Sequence, residues 1–259
     1  MRVNICGIEI DKYSFDEVLE KIVNHCLSKG LPEYVVTPNA MHIVGLQKDA
    51  DFLDIYRRAF LMVPDGVSLL WAAKFLQTPL NGRVNGTDLF EELCAIASEK
   101  GLKVFLLGGR PGAAEKAQEV LQARHPNLAI VGTYCPEYGF ENKPEELELI
   151  NSKIKAVAPD LLFVGLGAPK QEKWIASNYL SLKVPVSLGI GVSFELVADM
   201  VSRAPVWMQN AGLEWLFRLI VEPQRLWKRY VLGNPTFIWL VLKQRLGMFR
   251  SFKSKGVRN

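Results

Sequence analysis

Long apolar runs are missing from this chain of 259 residues: no segment approaches the roughly 18–20 uninterrupted apolar positions that cross a bilayer. The opening residues, MRVNICGIEIDKYSF, carry acids too early and no apolar stretch, so no signal peptide is expected. Cysteine is scarce, and Cys6, Cys26, Cys94 and Cys135 show no CxxC spacing; the expectation is buried free thiols in a reducing cytosol, without disulfides or zinc. His25, His42 and His125 are scattered through helical patterns, so no His/Cys metal cluster is expected. GxxxxGKS/T and GxSxG are absent, which argues against a P-loop NTPase and a serine hydrolase. Neither GGRPG at 108–112 nor GLGAPK at 165–170 fits G-x-G-x-x-G, so a nucleotide-dependent oxidoreductase has little support.

What is present is the composition of a globular protein. Hydrophobic residues make up 49% and charged residues 22%, which excludes a disordered or fibrous chain. The length permits one large domain or two small ones. Charge is unevenly spread. From Arg203 onward eleven basic residues face only Glu214 and Glu222, a net +9, and the chain total of +4 leaves −5 for residues 1–202. Trp207, Trp215, Trp227 and Trp239 also lie in that basic tail. An acidic body and a basic, Trp-rich tail predict two regions facing different surroundings, 1–202 and 203–259.

Periodicity gives the body an α/β reading. Residues 2–10 predict a hairpin hinged at Gly7, and Ser14 with Glu17 forms a capping-box signal for the helix that follows. Short β runs at 34–37, 61–63, 103–107, 129–132, 161–164 and 185–188 alternate with helical patterns, among them 51–59, 67–76, 88–100 capped by Thr87, 113–124 and 144–158. Such alternation predicts a mostly parallel, Rossmann-like sheet with flanking helices. After Arg203-Ala204-Pro205 the strand signals vanish. Three helices are expected at 213–221, 224–231 and 236–249, broken by Pro223 and Pro235.

Ligands of open parallel sheets bind outside the carboxyl ends of the strands, so the polar residues that follow strands carry the chemistry. They are Thr37-Pro38-Asn39, Asp65-Gly66, Gly108-Gly109, Gly165–Gln171 and Gly189–Ser193, which together describe one polar cleft. LLFVGLGAPKQEKW at 161–174 leads a buried strand through a glycine turn into a helix, whose unpaired N–H groups suit a phosphate; an unliganded tight turn has the same pattern. Asp65 is the only carboxylate directly after a strand, fit either to take a proton from a hydroxyl or to cap the next helix. Thr37 and Asn39 share that ambiguity. Arg83, between Gly82 and Gly86, is either a diphosphate clamp or a solvated loop arginine. Lys170 and Gln171 sit in the first turn of their helix, within reach of a phosphate or sugar hydroxyl. Asp49-Ala50-Asp51 imitates a DxD metal motif but lies between helical segments, where helix capping is the expected role. In the tail, Arg218, Arg225, Lys228, Arg229, Lys243 and Arg245 alternate with Trp and Tyr, a pattern suited to an anionic membrane interface. Nucleic-acid binding, or a helix packed on the body with a solvated basic face, remains open at this point.

Seven ordered motifs resemble the WecG/TagA/CpsF family of bacterial glycosyltransferases: VVTPNA at 35–40, VPDG at 63–66, RVNGTDL at 83–89, FLLGGRPG at 105–112, GLGAPKQEKWI at 165–175, RAP at 203–205 and GLEWLFRLIVEPQRLWKRY at 212–230. The resemblance implies an inverting, metal-independent, cofactor-free transferase on the cytoplasmic face of the bacterial membrane, without nucleic acid as a partner. Its members similar to TagA move N-acetylmannosamine from UDP to an undecaprenyl-diphosphate-linked N-acetylglucosamine in teichoic acid assembly; others move N-acetylmannosaminuronic acid or glucose. A non-catalytic membrane- or nucleic-acid-binding adaptor is the alternative from another class, and a homo-oligomer is left open. The resemblance makes Asp65 the general base and Thr37 its neighbour needed for activity. Asn39, Arg83 and Gln171 fall around the donor and, with Gly66, Gly108, Gly109, Gly165, Gly167, Lys170 and Glu195, form the expected substrate-binding set. Arg218 and Arg225, with Lys228 or Arg229, are expected to reach the lipid diphosphate. The sequence departs at GIGVSFE, where the family has GVGGSFD: Val192 replaces a glycine and Glu195 an aspartate, which bears on the donor sugar.

Overall fold

The computed structural model describes residues 1–249, apart from the side chains of Arg225 and Arg229. Strands β1 (Arg2–Ile5) and β2 (Ile8–Asp11) pair antiparallel through a tight turn in which Cys6 and Gly7 both take positive φ. Ser14 and Glu17 form the reciprocal capping box of α1 (Phe15–Ser28), as their spacing predicts. The body then alternates: β3 (Glu33–Val36), α2 (Ala40–Leu46), α3 (Ala50–Arg57), β4 (Leu61–Met62), α4 (Val67–Phe75), α5 (Gly86–Lys100), β5 (Lys103–Gly108), α6 (Ala113–Arg124) and β6 (Ala129–Tyr134). A 3-10 turn at Phe140–Asn142 leads to α7 (Pro144–Val157), β7 (Leu161–Gly165), α8 (Lys170–Leu182), β8 (Val186–Gly189) and the short α9 (Ser193–Val197).

The six strands β3 to β8 form one parallel sheet in the order β4-β3-β8-β7-β5-β6. Apolar residues run almost continuously through them because both faces are covered. Val104, Leu106, Leu161, Phe163 and Leu188 face a core shared with α1, α5 and α6, whereas Phe105, Leu107, Leu162, Val164 and Tyr34 face one shared with α2, α3 and the hairpin. The period of two assigns alternate residues to opposite layers.

The helices that follow are α10 (Val206–Asn210), α11 (Glu214–Val221) and α12 (Pro223–Arg245). One expectation is corrected here, and one helix is added. The segment α10 carries no signal strong enough to be read from five residues. Pro235 does not end a helix: α12 runs through it, and the Thr236 hydroxyl donates to the Leu232 carbonyl (2.7 Å) in the turn where the proline ring leaves a bond unmade. Packing holds this segment in place. Leu226, Tyr230, Phe237 and Val241 are buried, the last two in the core that includes the hairpin. Gly233 lies against α2, where a β-carbon would overlap Met41 Sδ, so the glycine permits the close approach. Near the end of α12, the Gln244 side-chain oxygen accepts from the Cys6 N–H, and its amide donates to the Asn4 carbonyl (2.9 Å). Helix α12 thus packs on α2, and its end is tied to the hairpin through Gln244.

Candidate active site

Asn39 and Asp65 both follow strands at one side of the sheet, yet the fold uses them differently. Asn39 caps α2: its side-chain oxygen accepts from Met41 N (3.0 Å) and His42 N (3.2 Å), while His42 Nδ1 accepts from Asn39 N (3.0 Å). Asp65 caps nothing. The cap position of α4 falls on Gly66, with φ +106° and no side-chain cap bond, so the capping reading of Asp65 is set aside. The Asp65 carboxylate instead accepts from Asn85 Nδ2 (3.0 Å) at the half-buried floor of a cleft. Burial pushes its pKa up to about 7 and the nearby Glu214 pushes in the same direction; Arg83, Arg218 and the Asn85 hydrogen bond pull it back. A carboxylate titrating near neutrality is a competent proton acceptor.

A chain of charges surrounds it. Arg83 lies 3.6 Å from both Asp88 and Glu214, through different guanidinium nitrogens. Arg203 pairs with Asp88 (2.5 Å) and reaches Asn85 Oδ1 (3.4 Å). Asn85 is also the cap of α5, accepting from Thr87 N (2.9 Å) and Asp88 N (3.3 Å). The sequence pattern predicts that cap at Thr87, because Asn and Thr are both good caps two residues apart. The Thr87 hydroxyl is bonded to Ser193 Oγ (2.9 Å) instead.

The cleft opens into a cavity of about 500 Å³ with two chemical ends. Asn39, Asp65, Gly66, Arg83, Glu214 and Arg218 line the polar end; Met41, Trp71, Phe75, Phe237, Ile238 and Leu242 line the apolar end, between α2, α4 and α12. Such a cavity suits an amphiphile with an anionic head and a hydrocarbon tail.

The remaining predicted residues gather further along the same sheet edge. Thr37 is buried, its hydroxyl 3.5 Å from the Gly189 carbonyl at the end of the neighbouring β8. Beyond β8, the connections after β7 and β5 leave in opposite directions, the topological switch at which open sheets place ligands. Gly108, Gly109, Gly165 and Gly167 shape this crevice, and Gly109 N donates to Gly165 O (2.8 Å). Gly108 has φ +99°, and a β-carbon there would come within 2.9 Å of the Gly165 carbonyl. Gly108→Ala is expected to destabilise the fold by about 2–3 kcal/mol, read as a lower denaturant midpoint at unchanged slope. Gln171 is buried and braces the crevice: its oxygen accepts from Gly167 N (3.2 Å) and Gly191 N (3.0 Å), and its amide donates to Glu172 (3.0 Å). Lys170 is exposed and ion-paired with Glu141. Glu195 Oε1 accepts from Arg110 N (2.8 Å), while its buried Oε2 has no hydrogen-bond partner among the described residues. Val192 has φ −87°, so the position needs no glycine; the left-handed conformation belongs to Gly191 (φ +59°).

From β4 to β5 the sheet edge spans four inter-strand steps, about 19 Å, room for an extended ligand with Asp65 at one end. Of the tail cations, Arg218 reaches the cavity. Lys228 is exposed, its ammonium 5.6 Å from the Trp227 ring centre, and the side chains of Arg225 and Arg229 lie outside the described residues. Asp49 caps α3 and pairs with Lys173 (2.6 Å), in keeping with its capping assignment. Asn85 and Glu214, both at the site, escaped sequence reading.

Comparison with known proteins supplies the same outline. Residues 3–251 match the model of the "Glycosyl transferase WecG/TagA/CpsF family". The chain is 32% identical over 241 residues, 93% of its length and 90% of the relative's, to the N-acetylglucosaminyldiphosphoundecaprenol N-acetyl-beta-D-mannosaminyltransferase of Bacillus subtilis (strain 168). It is 29% identical over 247 residues, 94% and 93% of the two chains, to the protein of that name from Staphylococcus aureus (strain NCTC 8325 / PS 47). With the parallel sheet, the strand-end carboxylate and a match over nearly the whole chain in agreement, this protein belongs to the WecG/TagA/CpsF family of glycosyltransferases.

Proposed function

We propose that this glycosyltransferase moves N-acetylmannosamine from UDP to an undecaprenyl-diphosphate-linked N-acetylglucosamine, with inversion at the anomeric carbon, as a step in teichoic acid assembly. The observation that carries the reading is the placement of Asp65 at the polar end of a cavity whose other end is apolar. The acceptor named for the relatives has matching chemistry: sugar, diphosphate and polyprenyl chain in sequence.

In this mechanism Asp65 takes the proton from the acceptor sugar hydroxyl as its oxygen attacks the anomeric carbon. The bond from that carbon to the UDP oxygen breaks on the opposite face, which inverts the configuration, and the electron pair leaves with UDP. Arg83 and the N–H groups of the switch-point crevice offset the charge developing on the diphosphate. We assign this role to the protein's own donors rather than to a divalent metal, because Asp49 of the DxD-like segment is engaged with Phe52 N and Lys173. Arg218 binds the acceptor diphosphate, and the apolar cavity takes the proximal isoprene units. The exposed Trp and aliphatic residues of α11 and α12 lie at the cytoplasmic surface of the membrane. Among the described residues no helix is long and apolar enough to cross it.

A panel of UDP-sugars with a short-chain lipid-diphosphate acceptor tests the reading, with product configuration read by NMR. Transfer from UDP-N-acetylmannosamine, inverted and insensitive to chelator, is expected. Transfer only from UDP-glucose or UDP-N-acetylmannosaminuronic acid reassigns the donor, and no transfer with intact vesicle binding supports the adaptor. Arg218→Ala is expected to lower kcat/KM for the acceptor about 10–100-fold, the loss of one charge-assisted contact, with UDP affinity unchanged.

A further inference from the structure

Arg83 stands beside the general base and is held there from the tail. One side of its guanidinium faces Asp88 of α5, and the other faces Glu214 at the start of α11, each at 3.6 Å. Glu214 is one of only two acids from residue 203 onward, and both pair with arginines of the body: Glu222 accepts from Arg110 (3.0 Å), the residue that follows the Gly108-Gly109 turn. A basic tail attracted to an acidic body needs no carboxylates for docking, since they oppose the general attraction. Their placement against two arginines of body loops, one before α5 and one after β5, therefore calls for a local role. Glu214 lines the cavity with Asp65, Arg83 and Arg218 and adds negative charge beside Asp65.

Resting on the assignment of Asp65 as the base, we propose that Glu214 is a positioning residue of the transfer reaction: it fixes Arg83 against the cleft wall and sets the charge around Asp65. The charged and titratable groups acting on Asp65 come from three places. Arg83 precedes α5, Glu214 and Arg218 lie on α11, and Tyr56 on α3 is close enough for its hydroxyl to sense the Asp65 charge. Among the described residues, Glu214 is the group of the tail that acts on the base with negative sign.

The test is the full-length Glu214→Gln enzyme, isosteric but uncharged, assayed for kcat and KM across pH with UDP-sugar and short-chain acceptor, beside Glu214→Asp and Asp65→Asn. Removing the negative charge lets Arg83 and Arg218 act unopposed. The acidic limb of kcat/KM should therefore shift to lower pH by about half a unit or more, and kcat at the plateau should fall about tenfold. Glu214→Asp, which keeps the charge, should return the limb towards wild type, an outcome a merely structural glutamate would not give. Unchanged thermal unfolding of Glu214→Gln shows that the variant is folded. An unmoved acidic limb in folded Glu214→Gln, with Asp65→Asn inactive, overturns the proposal while sparing the base. An active Asp65→Asn overturns the base assignment itself.

Discussion

Asp65→Asn is expected to fold and bind UDP as the parent does, yet to lose roughly 10²–10⁴-fold in turnover, the usual share of general-base catalysis. The substitution is nearly isosteric, and an amide oxygen at position 65 still accepts from Asn85 Nδ2, so the cleft keeps its shape. What disappears is the carboxylate proposed to receive the proton. The pH dependence sharpens the test. Burial and Glu214 place the Asp65 pKa at about 7, so parent activity should rise with pH through neutrality, and the residual activity of the variant should lack that limb. Stability moves the other way. A carboxyl whose folded pKa lies above its unfolded value, near 3.8, holds its proton more tightly when folded; its contribution is complete below the unfolded pKa and is lost as pH rises towards 7. Ionised Asp65 thus weakens the fold at pH 8, and Asp65→Asn should unfold at a temperature equal to or above that of the parent there. Lower activity with equal or greater stability separates a catalytic role from a structural one. Near-parental turnover at pH 8 would remove Asp65 from the mechanism.

How legible this site is from sequence depends on which choices are local. The alternation of apolar runs and helical patterns gives nearly every strand within a residue or two, because a sheet covered on both faces leaves an unbroken apolar signature. Whether a strand-end polar residue caps a helix is a choice among near-equals that backbone geometry decides. Asn39 caps because α2 starts at the next residue, whereas Asp65 is spared because Gly66, at φ +106°, intervenes. Asn85 and Thr87 are equally good caps on paper, and only the fold assigns one to α5 and the other to Ser193. Pro235 reads as a helix stop because propensity opposes it, but packing of Phe237 and Val241 into the core overrides propensity. Glu214 is invisible in one dimension. Its partner lies 131 residues earlier, and no spacing rule connects them.

Replacing Trp227, Leu232 and Trp239 together with alanine should detach the protein from anionic vesicles while leaving the fold and the chemistry intact. Two faces of α12 are apolar. Leu226, Tyr230, Phe237 and Val241 point into the protein, and at about 100° per residue Trp227, Val231, Ile238 and Leu242 form a second stripe, continued by Leu232 and Trp239. Trp227, Leu232 and Trp239 are 48%, 66% and 53% exposed, more apolar surface than a helix facing water alone would retain. Lys228 and Lys243 lie over the Trp227 and Trp239 rings, so cations and indoles share one level, as at the headgroup boundary. Removing three side chains that bury roughly half their surface in the interface costs about 3 kcal/mol, which is about a hundredfold in partitioning. The expected result is a hundredfold weaker association with vesicles containing phosphatidylglycerol and a comparable loss of transfer to a full-length polyprenyl acceptor embedded in them. Transfer to a short-chain acceptor in solution should stay within about threefold of the parent, since none of the three lines the cavity. Deleting the tail at residue 202 is a poorer test, because it strips Phe237 and Val241 from the core and confounds anchoring with folding. Raising the salt separates the remaining contributions: charge attraction is screened within about 3 Å at 1 M, whereas apolar insertion persists. The parent should therefore stay partly bound at high salt and the triple variant should be released, and equal partitioning of the two would remove this face of α12 from the membrane.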